Sequence, residues 1–225
     1  MMMHSLDRKA VFLLVVLSVF LASCEQRINT PSNPMVNSTP VPAKKVLGSF
    51  YPIEGTHYQL ASISAVPEER EDVYDFSRLL SEGRSDYGVY NYVFLDVEAE
   101  TVYPLLPNNE TLIYSTQGYP LPKDTDVEKV PVAWWLYTLI KEDTNEDKEF
   151  SYLDKKTLAV SDVGGKGYAE VITGVDQILG DAFKAGDVLL IIYRAGDKNF
   201  LAHIDLAARK VTKTTELPSF GEDVK

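Results

Sequence analysis

From Tyr87 onward, apolar and polar side chains alternate with a period of two. Tyr90, Tyr92, Phe94 and Asp96 alternate with Asn91, Val93, Leu95 and Val97. That period sends successive side chains to opposite faces of an extended strand. Val102–Leu106 reads as its returning partner and Leu112–Ser115 as another strand. Further strands are expected at His57–Ile63, Thr157–Ser161, Tyr168–Thr173, Val188–Arg194, Phe200–Asp205 and Lys210–Glu216. Val132–Ile140 differs from the rest. Val132, Trp134, Leu136, Thr138 and Ile140 share one face, and Ala133, Trp135, Tyr137 and Leu139 the other. Both faces are apolar, so this strand is expected at the centre, covered on both sides.

Between these runs lie turn signals. Asp162-Val163-Gly164-Gly165-Lys166-Gly167, Ala195-Gly196-Asp197-Lys198 and Leu206–Arg209 read as hairpin turns. Pro67–Asp75 and Gly118–Val130 read as charged or proline-rich loops, and Phe76–Leu80 as a helical turn ended by Gly83. Two stretches echo each other. Asn91–Val97 leads to Val102 and Leu106-Pro107, and Asn199–Leu206 leads to Val211 and Leu217-Pro218; Leu158–Asp162 is a partial third copy. Each is a strand ending in Asp, a tight turn and a returning strand. The pattern loosely resembles the repeat of TolB-type β-propellers, without that family's turn glycine. The expected fold is all-β: an antiparallel meander, sandwich-like or an incomplete propeller, with a small β-propeller as the alternative.

The N-terminus follows a different pattern. Arg8 and Lys9 precede an uncharged run from Val11 to about Leu21. Such a run is too short to span a bilayer of roughly 30 Å as a helix, and suits a secretory signal. It ends in Leu21-Ala22-Ser23-Cys24, and Cys24 is the one cysteine of the chain. These residues resemble the cleavage and lipidation box of bacterial lipoprotein precursors; an ordinary signal peptide is the alternative. The resemblance implies removal of residues 1–23 and a diacylglycerol on the Cys24 sulfur. The resulting membrane anchor is stable once two or more acyl chains are attached. It places the protein in the bacterial cell envelope, and Glu25 favours the outer over the inner membrane of a Gram-negative cell. Residues 24–46 carry Pro31, Pro34, Pro40 and Pro42 among Ser, Asn and Thr, and read as a disordered tether. The exported β-rich domain is expected at 47–225.

The formal net charge is −11. Without Asp7, Arg8 and Lys9 it is about −12. An acidic surface disfavours nucleic acid as a partner. With Cys24 acylated, no thiol remains for a disulfide, a metal or nucleophilic chemistry.

One constellation points to a cation. Asp143, Asn145, Asp147, Glu149 and Asp154 stand at positions 1, 3, 5, 7 and 12 of a twelve-residue stretch whose position 9 is Ser151. Oxygen side chains at this spacing match an EF-hand-type calcium loop, and the ending in Asp resembles dockerin-type loops. Lys148 stands where glycine normally makes the sharp turn. An acidic hairpin loop solvated by water is the alternative reading. Gly164–Gly167 lacks phosphate-loop spacing. No nucleophile-elbow or zinc-protease motif occurs. His57 and His203 read as packed or exposed strand residues, with a catalytic base as the rarer option. Trp134 and Trp135 read as core residues, or else as a sugar-stacking platform. The expected function is a lipid-anchored, non-enzymatic module binding envelope proteins or a cell-wall component, with calcium (Ca2+) as a stabilising ion. An envelope hydrolase or carbohydrate-binding protein is the alternative.

Overall fold

The computed structural model describes residues 43–67, 88–121 and 130–219. Every regular element among them is a strand, and every pairing is antiparallel. The strands fall into three successive meanders. The first contains β1 (Ala43–Leu47), β2 (Tyr51–Pro52), β3 (Tyr58–Pro67), β4 (Val89–Asp96) and β5 (Thr101–Pro104). Strands β1 and β2 share one edge of β3, so together they act as one broken strand. The second meander is β6 (Leu112–Tyr119), β7 (Trp134–Ile140), β8 (Lys156–Asp162) and β9 (Ala169–Val175). The third is β10 (Gln177–Lys184), β11 (Val188–Ala195), β12 (Lys198–Asp205) and β13 (Lys210–Glu216), a separate four-stranded sheet. The first two meanders join into one nine-stranded sheet. Their junction is a single pair, Val89 with Ile113.

Side-chain alternation then builds two cores. Leu136, Leu158, Val160, Ile172 and Val175 leave one face of the second meander and meet Leu189, Ile191, Tyr193, Ala202 and Ile204 of the third. Tyr119 is fully buried there. Its ring stacks on Phe183 at 6.0 Å, and its hydroxyl donates to Asp181 Oδ2 at 2.5 Å. From the opposite face of the second meander, Tyr137, Leu139 and Ala159 pack with Phe94, Leu105 and Leu106 of the first. The second meander is thus covered on both faces, and β7 is the central strand that its two apolar faces demand. The result is an antiparallel stack of four-stranded units, open among the described residues, as in an incomplete propeller.

Three expectations shift. Ala43–Leu47 was expected within the tether up to Val46, but it pairs along β3 from Ala43↔Pro67 to Leu47↔Ile63. Lys44 and Lys45 lie exposed on this edge, where charge is compatible with a strand and blocks further pairing. Gly118 and Tyr119, expected in a loop, complete β6 opposite Trp135 and Trp134. The strand β10 departs from the period-two pattern, because a bulge between Ile178 and Gly180 breaks its alternation. The expected helical turn at Phe76–Leu80, the tether up to residue 42 and Cys24 lie outside the described residues.

Candidate functional site

The expected calcium loop joins β7 to β8. Asp143 Oδ1 accepts the Asp147 N–H at 3.2 Å, and its Oδ2 accepts that of Lys148 at 2.7 Å. Asn145 Oδ1 also accepts the Asp147 N–H, and its amide donates to Asp147 Oδ2 at 2.8 Å. Asp147 Oδ1 accepts from Glu149 N–H at 2.8 Å. The chain curls tightly round these three side chains, with φ of +71° at Lys148, the position glycine would favour. Asp154 plays another part. Its Oδ1 accepts Thr144 N–H at 2.7 Å and its Oδ2 accepts Ser151 N–H at 2.8 Å, so one buried carboxylate ties the two ends of the loop. Burial alone would raise its pKa, but these N–H bonds and the Thr144 hydroxyl outweigh it and hold the carboxyl below its usual range. The structure therefore brings Asp143, Asn145 and Asp147 together. Glu149 is exposed, and Asp154 faces the loop's own backbone. No three acidic or histidine side chains converge as a ready cation cage among the described residues.

The three sequence echoes occupy equivalent places. Each spans the third and fourth strands of one meander: β4–β5, β8–β9 and β12–β13. Each Asp caps the turn that follows. Asp96 Oδ1 accepts Ala99 N–H at 3.0 Å, Asp205 Oδ1 accepts Ala208 N–H at 2.7 Å, and Asp162 Oδ1 accepts Lys166 N–H at 2.8 Å. Without a turn glycine, Glu100 and Arg209 take the left-handed conformation, at φ of +53° and +52°.

The residue four positions beyond the Asp also reaches back to the previous meander. Lys166 Nζ bonds Asp96 Oδ2 at 3.0 Å, over the rings of Tyr58 and Tyr103 at 5.4 and 5.5 Å. The turn N–H from Ala99 and the Lys166 ammonium hold the Asp96 carboxyl below its usual range, and the bond to Asp96 raises Lys166. His57 joins this cluster, with Nε2 at 3.5 Å from Asp96 Oδ1. One meander later, an Arg209 guanidinium nitrogen stands 3.8 Å from Asp162 Oδ2, with the guanidinium 6.0 Å from the Trp134 ring centroid. Asp205, the third member, forms no ion pair among the described residues. It lies at the margin of the third meander's outer face, where Leu179 and Ile192 are exposed beside Leu190 and Leu201. His203 sits half-buried in β12, paired with Leu190 and Lys213.

The tryptophans are both half-buried. Trp134 Nε1 donates to Asp187 Oδ1 at 3.0 Å and Trp135 Nε1 to the Val163 carbonyl at 2.9 Å. Trp135 also lines a cavity of about 370 Å³ between the first two meanders, which alternation alone could not reveal. Glu54 is the one carboxylate among its lining residues.

No family model matches the chain, and no curated protein matches it. Among solved structures it is similar to the β-propeller domain of the Trilobed protease from Pyrococcus furiosus, over 78% of this chain, at 12% identity and a TM-score of 0.36. The chain spans 44% of that protein's chain. It is also similar to the structure of Tne2 in complex with Tni2, at 9% identity and a TM-score of 0.36, over 72% of this chain and 99% of that one.

Proposed function

We propose that this protein is a lipid-anchored, non-enzymatic module of the bacterial cell envelope that docks a protein partner on the outer face of its third meander. The anchor rests on Leu21-Ala22-Ser23-Cys24 behind a charged start and an apolar run. The observation that carries the docking reading is the charge series. Asp96 and Asp162 each take a cation from the next meander, and Asp205 carries the series to the last face with no cation supplied among the described residues. The occupant that fits is a partner sheet presenting an Arg or Lys on a hairpin turn. A second copy stacked head-to-tail is disfavoured, because Glu100 holds the corresponding position in the first meander and would repel Asp205.

The acidic loop gives the module a stabilising calcium ion in this reading. Its turn geometry and the Asp143, Asn145 and Asp147 oxygens support it, with weak affinity because Glu149 is exposed and Asp154 serves the loop's own backbone. In the envelope hydrolase reading, Trp135 beside the cavity is the supporting feature.

The docking reading is tested with photocrosslinking side chains at Ile192 and, separately, at exposed Tyr114 in the lipidated protein in its own envelope. A discrete adduct from position 192 only, lost in Asp205→Lys, is expected. No adduct at 192, or the same adduct from both positions, overturns it.

A further inference from the structure

The cavity between the first two meanders is walled by Tyr51, Leu60, Tyr92, Val132 and Trp135, with Ser62 and Thr116 as its small polar residues. Three features shape it. Gly118 lets the wall approach β6, since a Cβ there would meet Val132 at 2.9 Å and Trp135 at 3.1 Å. The Trp135 N–H is already satisfied by Val163, so the indole offers the cavity an apolar face. Ser62 is satisfied by Ser64, its Oγ 3.1 Å away.

Thr116 Oγ1 is different. It is buried, and among the described residues no hydrogen bond of ordinary geometry reaches it. It lies beside the Tyr92 hydroxyl without a bond of ordinary geometry between them. Burial raises Tyr92, so that hydroxyl stays protonated and is available as donor or acceptor. A buried, unsatisfied hydroxyl loses its water partners without replacement and needs a reason. A ligand group bonded to it supplies one.

We infer that this cavity binds a small uncharged ring compound, of one or two rings, through aromatic and aliphatic walls and one hydroxyl or amide group held by Thr116 and Tyr92. The size falls in the range of small-molecule sites. No Lys, Arg or His lines it, so an anion would enter uncompensated. A sugar would bring several hydroxyls to mostly apolar walls, and most would lose their water partners unpaired.

The test is a titration of the protein with 4-methylphenol, toluene and N-acetylglucosamine, followed through the amide NMR signals of Ser62, Tyr92, Thr116 and Trp135. Saturable shifts at these residues with 4-methylphenol are expected, with toluene weaker by about fivefold to tenfold, the size of one net hydrogen bond. Thr116→Val should remove that difference, and Thr116→Ser should keep it. Absence of saturable shifts with 4-methylphenol overturns the site. Equal affinity for toluene and 4-methylphenol in the unmodified protein overturns the role of the hydroxyl pair. Tighter binding of N-acetylglucosamine than of 4-methylphenol overturns the ligand class.

Discussion

Asp154 shows how a residue singled out by spacing takes a second part once the chain folds. Its place at position 12 of an oxygen-rich stretch marks it as a cation ligand. In the folded chain its oxygens serve the N–H groups of Thr144 and Ser151. Sequence spacing fixes which residues are near, but not which way a short carboxylate turns when backbone donors compete with an ion. Its depressed pKa has a consequence. A carboxyl lower in the folded than the unfolded state stabilises fully above the unfolded value of about 3.9, and that stability is lost as pH falls through the folded value. Thermal stability of the native protein should therefore fall below about pH 4. Asp154→Asn should lower stability at neutral pH and flatten that acid dependence. Asp154→Ala leaves two N–H groups without acceptors and should cost about 2–4 kcal/mol, measured by urea denaturation. An unchanged acid limb in Asp154→Asn would show that the carboxylate is not the group responsible.

Among elements, β7 was legible because both of its faces are apolar, which only a doubly covered strand explains. The pairing of the three echoes was half legible. Their Asp-turn grammar is local, so sequence carried it. The Lys166–Asp96 bond joins residues 70 positions apart and depends on stacking that no local pattern encodes. The two turns invite opposite substitutions. Glu100 is exposed and left-handed, so Glu100→Gly should raise stability by roughly 0.5–1 kcal/mol, strain relief less the added freedom of the unfolded chain. Gly165 has φ of +77°, and a Cβ there would meet Phe94 at 2.3 Å. Gly165→Ala should cost about 3 kcal/mol, from backbone strain together with displacement of a fully buried ring. Chemical denaturation of both variants checks the pair. A destabilised Glu100→Gly would mean that the acidic side chain matters more than its backbone strain.

At the scale of the whole molecule, three stacked meanders present two separate surfaces: an aromatic cavity between the first and second, and the outer face of the third. The acidic loop between β7 and β8 bears on the stability of the stack as a unit. An ion that binds only the folded state stabilises it by about 2.7 kcal/mol at a hundredfold excess over its dissociation constant. Calcium at millimolar concentration should raise the melting temperature relative to chelator, and magnesium should do so less because it demands tighter octahedral geometry. Asp143→Ala with Asp147→Ala should abolish the rise. Coincident melting curves in calcium and chelator would leave the loop as an acidic turn held by Asp154. The whole-molecule architecture was less legible than its strands, because a meander's sequence does not state whether the next sheet covers its face. The proposed anchor would determine where both surfaces are displayed, so it is the central claim. Mass spectrometry of the N-terminal peptide from membrane-extracted protein tests it directly. The account predicts a peptide beginning at Cys24 with a diacylglyceryl thioether on its sulfur; an N-terminus elsewhere, or an unmodified Cys24, would contradict it.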